Sequence, residues 1–80
     1  MNFTVYTKDS CTHCDKVKQV LKLTESNYVV YNLGQHFDKD SFLEEFGEGS
    51  TFPQVVCDGK KLGGSIETIQ FLKEKRVINS

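Results

Sequence analysis

The sequence predicts an α/β fold of order β-α-β-α-β-β-α, with a mixed four-stranded sheet flanked by three helices. Three observations predict it. Short runs rich in Val, Tyr, Phe and Thr recur at 2–7, 28–33 and 53–57 and read as strands. Between and after them, apolar residues recur at helical spacing. Asp58-Gly59 then sits between two strand segments, the pair favoured at the centre of a two-residue hairpin. Strand-helix-strand units favour parallel pairing and the hairpin adds an antiparallel pair, so the sheet is mixed.

Residues 2–7 alternate, with Phe3 and Val5 on one side of the strand. From Thr12 to about Thr24, Cys14, Val17, Val20 and Leu21 form a helical stripe with Lys16, Lys18 and Lys22 outside, and Asp9 or Ser10 is the expected N-cap. Ser26-Asn27 ends that pattern. The run YVVYNL at 28–33 is apolar enough to predict a strand buried on both faces. Asp38 or Asp40 then caps a short helix with Phe42, Leu43 and Phe46 inward, stopped at Gly47. PQVVC at 53–57 and a short segment around Leu62 are the hairpin strands. Ser65 is the expected cap of the last helix, whose buried stripe is Ile66, Ile69 and Leu72. Glu67 near its start and Lys73, Lys75 and Arg76 near its end complement the helix dipole.

Eighty residues with 38% hydrophobic and 26% charged content predict one globular domain, residues 1–80. Such a chain hides only about 60–65% of its unfolded surface, so any ligand site lies near the surface. No apolar run approaches the ~18 residues that suggest a membrane span. The segment MNFTVYTK lacks the basic start and apolar stretch of a secretory signal, so a cytoplasmic location is expected. A net charge of −1 offers no basic field for nucleic acid. The charge is unevenly spread, however. Asp38, Asp40, Glu44, Glu45 and Glu48 crowd residues 38–50 against Lys39 alone, either as a solvated helix face or as a rim that selects a partner.

The segment KDSCTHCDK at 8–16 holds the most reactive chemistry, with Cys11, His13 and Cys14 close together. Three cysteines do not make a disulfide scaffold, which shows even numbers. A closed zinc site needs four ligands, and outside the cluster only Cys57 and His36 remain, without paired spacing, so no metal is expected. A C-x-x-C that closes a strand and opens a helix has a different meaning. The first cysteine lies where unpaired N–H groups and the positive dipole end stabilise a thiolate. Thiols so placed fall from about 8.5 to between about 3.5 and 7.5. Cys14, three residues on and within the apolar stripe, faces the same side and is the more buried. Cys11 is then the exposed nucleophile and Cys14 the resolving thiol. Lys8 and His13 are candidate tuning residues, each able to place positive charge near Cys11. His13 is equally readable as a plain exposed helix residue. Cys57, in a core strand, reads as packing.

The segments VYTKDSCTHC and STFPQVVCDGKKLGGS resemble the dithiol motif, and the T-V-P-Q strand, hairpin and G-G-x-D segment, of the glutaredoxins. The likeness spans nearly the whole chain. It implies the thioredoxin fold, in agreement with the order of elements read above. It also implies a glutathione site: Pro53 following a cis bond beside the dithiol, and the Phe52 backbone pairing with the cysteinyl part of glutathione. Gly64 and Ser65 would receive the γ-glutamyl carboxylate at a helix N-terminus. Lys8 would attract the glycyl carboxylate or the Cys11 thiolate, and His13 would border the ligand. Thr12-His13 replaces the family's usual Pro-Tyr, and Ile66 stands where an aspartate is often found, with Glu67 one position on.

The resemblance therefore implies a monomeric, glutathione-dependent dithiol oxidoreductase. It would reduce protein disulfides and glutathione mixed disulfides, with ribonucleotide reductase among the clients such proteins serve. Two alternatives stay open: a redoxin reduced by thioredoxin reductase, and a dimer that bridges an iron–sulfur cluster through Cys11 and glutathione.

Overall fold

The strands and helices form in the expected order in the computed structural model, which describes residues 2–75. They are β1 (Asn2–Thr7), α1 (Thr12–Leu23), β2 (Asn27–Asn32), α2 (Lys39–Phe46), β3 (Gln54–Cys57), β4 (Lys60–Gly63) and α3 (Ser65–Glu74). Arg76, expected to complement the α3 dipole, lies outside the described residues. The sheet order is β2-β1-β3-β4. β1 runs parallel to β2, with Val5 opposite Val30, and antiparallel to β3, with Val5 opposite Val55. β3 and β4 form the hairpin. Asp58 and Gly59 both take positive φ, 50° and 86°, the turn whose twist matches that of the strands it joins.

β1 is central, and its alternation feeds two different environments. Phe3 and Val5 join Val17, Leu21, Val55, Cys57 and Leu72 in the core, so α1 and α3 close one face of the sheet. Thr7, on the same side of β1, is also buried, its hydroxyl tied to Asn32 and the Tyr31 carbonyl of β2. Tyr6 points the other way and meets Phe37, Phe42 and Phe46, the aromatic side chains through which the α2 region approaches the sheet.

Three expectations are corrected. β2 is an edge strand and is not buried on both faces: Val29 is 53% exposed and Tyr31 is also exposed, while Tyr28 and Val30 pack against the core. The eight-residue α2 is too short to cover both Tyr6 and the outer strand. The buried stripe of α3 is Thr68 and Leu72, with Ile69 half-buried and Ile66 73% exposed. Thr68 is tolerated there because its hydroxyl donates to the Gly64 carbonyl at 2.8 Å. Finally, the caps shift by one or two positions. Cys11 caps α1 and Gly64 caps α3, whereas Asp38 caps α2 as expected, its carboxylate accepting from the Ser41 N–H at 2.8 Å.

Candidate active site

β1 ends at Thr7, and three residues later Ser10 adopts a left-handed φ of 57° that turns the chain into α1. Cys11 follows in extended conformation as the N-cap. Its carbonyl accepts the first helical bond from the Asp15 N–H at 3.1 Å, and its sulfur accepts from the Cys14 N–H at 3.2 Å. The cap is therefore the Cys11 sulfur itself. A sulfur in this position receives an N–H that the helix leaves unpaired, which favours the thiolate over the thiol.

Cys11 and Cys14 are joined as a disulfide, with their Cα atoms 5.2 Å apart. Cys11, expected to be exposed, is 8% exposed because its sulfur turns in to cap α1, yet it stays more accessible than Cys14 at 1%. His13 lies between them on the exposed side of the helix.

Three separate segments meet next to this turn. A cleft of about 200 Å³ is lined by His13 from α1, by Phe52 and Pro53 with Thr51, and by Gly64 and Ser65 with Ile66 and Glu67. The Phe52–Pro53 peptide is cis, and Pro53 is buried. The Gly64 backbone lies close to this loop: a Cβ there would sit 3.6 Å from the Pro53 carbonyl oxygen, an ordinary contact, and 3.3 Å from Glu67 Oε1. Lys8 stands outside the cleft lining, its Nζ 5.8 Å from the centre of the Phe52 ring. The structure thus gathers His13, Phe52, Pro53, Gly64 and Ser65 around one space, with Lys8 against the Phe52 ring but not in the lining.

Sequence reasoning missed the position of Glu67. The Gly64 N–H expected to be open to a ligand carboxylate instead donates to Glu67 Oε1 at 2.8 Å. An acid three residues after an N-cap reaching back to the cap's N–H is half of a capping box, and Gly64 to Glu67 has that spacing. The N–H groups of Ser65, Ile66 and Glu67, at the first three helical positions, have no acceptor within the helix. The helix start is therefore already partly neutralised by a carboxylate, which any anionic ligand must share.

The remaining nucleophile and histidine stand apart. Cys57 is buried in β3, and burial, followed by the neighbouring Asp58 charge, pushes its thiol above the ordinary value. His36 is occupied locally, its Nδ1 accepting from the Asn32 N–H at 2.9 Å. Among the described residues, no three His, Cys, Asp or Glu side chains converge as metal ligands. No helix among them is long and apolar enough to cross a membrane.

A dithiol capping a helix, set against a cis-proline loop on this sheet topology, defines a thiol–disulfide oxidoreductase of the thioredoxin fold. The comparisons carry the assignment further. The sequence model of the glutaredoxin family matches residues 3–62, and the chain belongs to that family. Glutaredoxin 1 of Rickettsia prowazekii is 34% identical over 76 residues, which cover 91% of this chain and 79% of that protein. Among solved structures, buckwheat glutaredoxin in complex with glutathione is 25% identical with a TM-score of 0.77, the match covering 94% of this chain and 71% of that one. Reduced Escherichia coli glutaredoxin, 18% identical, matches in fold with a TM-score of 0.79 over 98% of this chain and all 100% of that one.

Proposed function

We propose that this chain acts as a single domain that reduces protein disulfides and glutathione mixed disulfides at Cys11, with glutathione as the reductant. The observation that carries the reading is the Cys11–Cys14 pair at the start of α1, Cys11 the more accessible, beside a cleft built by the Phe52-Pro53 loop and the start of α3. The Cys11 thiolate attacks one sulfur of a client disulfide, forming a mixed disulfide and releasing the first client thiolate. Cys14 attacks the Cys11 sulfur, closing the Cys11–Cys14 bond and releasing the second client thiol. One glutathione opens that bond at Cys11 and frees Cys14. A second glutathione attacks the glutathione sulfur on Cys11, leaving glutathione disulfide and the reduced dithiol.

The cleft supports glutathione by its shape and donors. An extended ligand backbone can pair with that of Phe52, and a carboxylate can approach the free N–H groups at the start of α3 near Gly64 and Ser65. Lys8, held over Phe52, offers a cation to a second carboxylate. The buckwheat relative's complex with glutathione supports the same ligand class. A disulfide-bearing client such as ribonucleotide reductase, a cytoplasmic setting and a monomeric state complete the reading.

The test is turnover coupled to glutathione and its reductase. Wild type should be active, Cys11→Ser should lose all activity, and Cys14→Ser should keep activity on glutathionylated substrates only. Activity surviving in Cys11→Ser overturns the reading. His13, two residues from Cys11 and lining the cleft, favours the thiolate when charged. His13→Val should therefore lower the reduction potential of the pair, and an unchanged potential removes His13 from the mechanism. One observation favours a second reading, reduction by thioredoxin reductase: the Glu67 carboxylate already holds the Gly64 N–H, which weakens the case for a glutathione carboxylate there. Faster turnover with thioredoxin reductase and NADPH than with glutathione would select it.

A further inference from the structure

The donor end of the dithiol cleft is held by one of the chain's own side chains, and that side chain has a built seat. Gly63 takes a positive φ of 116°, and a Cβ there would lie 3.0 Å from Glu67 Cγ. A Cβ on Gly64 would lie 3.3 Å from Glu67 Oε1. The stem of Glu67 therefore folds back across both glycines, and Oε1 ends on the Gly64 N–H at 2.8 Å. This sets the carboxylate at a defined place in the wall of the cleft.

Its charge counts there. Among the eight lining residues, Glu67 is the only acid and His13 the only base. The side-chain ion pairs among the described residues are Lys18–Asp15 and Lys61–Glu45, so neither brings a cation to Glu67. The start of a helix carries roughly half a positive charge, and Glu67 sets a full negative charge against it. That end of the cleft is therefore net negative, and a second carboxylate brought beside it meets repulsion. Residues flanking a client cysteine bound at Cys11 reach this cleft, because His13, two positions along the chain, lines it.

We propose that Glu67 is a specificity-determining residue that sorts client disulfides by charge. Segments with neutral or basic residues beside the cysteine are accepted, and segments with acids there are disfavoured. The proposal deepens the oxidoreductase reading and rests on it, but it does not depend on glutathione as the reductant.

The experiment is a single-turnover reduction by prereduced protein with no added reductant: the Cys11–Cys14 bond forms as one peptide disulfide becomes two peptide thiols. The substrates are symmetric disulfides of a capped Gly-X-Cys-X-Gly peptide, with X as Asp, Asn or Lys. Each is given to wild type and to Glu67→Gln. Glutamine can still accept from the Gly64 N–H, so the helix start keeps its cap and loses only the charge. The effect of X on the peptide's own sulfur is common to both proteins and drops out of the comparison. The Asn-to-Asp rate ratio should fall by about two- to fivefold in Glu67→Gln, the size expected of one exposed charge contact. The Lys-to-Asn ratio should fall as well, and both differences between the proteins should close in about 1 M salt. Glu67→Asp, which keeps the charge, should stay near the wild-type ratios. Equal ratios in wild type and Glu67→Gln overturn the proposal. So does Glu67→Asp moving them as Glu67→Gln does, since the effect would then be one of side-chain placement and not of charge. Failure of wild type to reduce any of the three overturns the oxidoreductase reading and the proposal with it. The proposal fails alone when all three are reduced at ratios that Glu67→Gln leaves unchanged.

Discussion

On one face of the sheet, Phe3, Val5 and Val55 are sealed by Val17 and Leu21 of α1 and Leu72 of α3, all at or near zero exposure. On the other, Tyr6 meets Phe37, Phe42 and Phe46, and of these only Phe42 is fully buried. The same strand supplies both sides, because successive side chains of β1 point in opposite directions. The first face is mainly aliphatic, with Phe3 among its members, and is covered by two helices. The second is aromatic, covered by one short helix, and left with a hollow. A small chain can thus place most of its packing energy on one side and leave the other only partly covered. The catalytic turn stands where β1 gives way to α1, so its position depends on the sealed face. The Phe52 wall of the cleft depends on the aromatic one.

The sharpest way to break this contrast is to truncate one residue on each face. Leu21→Ala removes a fully buried side chain from the packed layer and should cost about 2–5 kcal/mol. For a chain of this size each kilocalorie lowers Tm by roughly 4–8 °C. Phe46→Ala removes a half-buried ring and should cost nearer 1 kcal/mol, since only part of its surface leaves water on folding. Urea unfolding of both variants gives the comparison directly. Equal losses would mean that the aromatic face is as much a core as the other.

The dithiol and the overall architecture were legible in the sequence because both rest on local spacing. Cys11 and Cys14 fall where a strand hands over to a helix, and Asp58-Gly59 has the conformational freedom its turn requires. What was not legible depends on neighbours distant along the chain. YVVYNL reads as a doubly buried strand by composition, yet the sheet order leaves it at an edge. Ile66 reads as core by spacing, yet α3 begins at Ser65 and turns Thr68 and Leu72 inward, leaving Ile66 on the rim of the cleft. The aromatic cluster joins Tyr6, Phe37, Phe42 and Phe46, which only the folded chain brings together. Glu67 is the intermediate case, since its spacing from Gly64 signals a cap but not that the cap closes a ligand's donor.

A finer test of the two faces uses pH, because each buries one group whose charged form is unwelcome. Cys57 lies on the sealed face, where burial first and the Asp58 carboxylate second raise its thiol above the ordinary value. Tyr6 lies on the aromatic face, raised by burial, then by Tyr31 and Glu45. For both, the folded state holds its proton at a pH where the unfolded chain has released it. The contribution to stability is therefore complete below the unfolded pKa and is lost as pH rises through the folded one. The unfolded values lie near 8.5 for a thiol and 10 for a phenol, so the two losses begin at different pH. With the Cys11–Cys14 bond kept intact, wild-type stability in urea should hold steady to about pH 8 and then decline in two stages. Cys57→Ala should lower stability overall but flatten the first stage, and Tyr6→Phe should flatten only the second. If Cys57→Ala kept the wild-type decline between pH 8 and 10, the buried thiol would not be its source. The early loss would then have to be sought outside the sealed face.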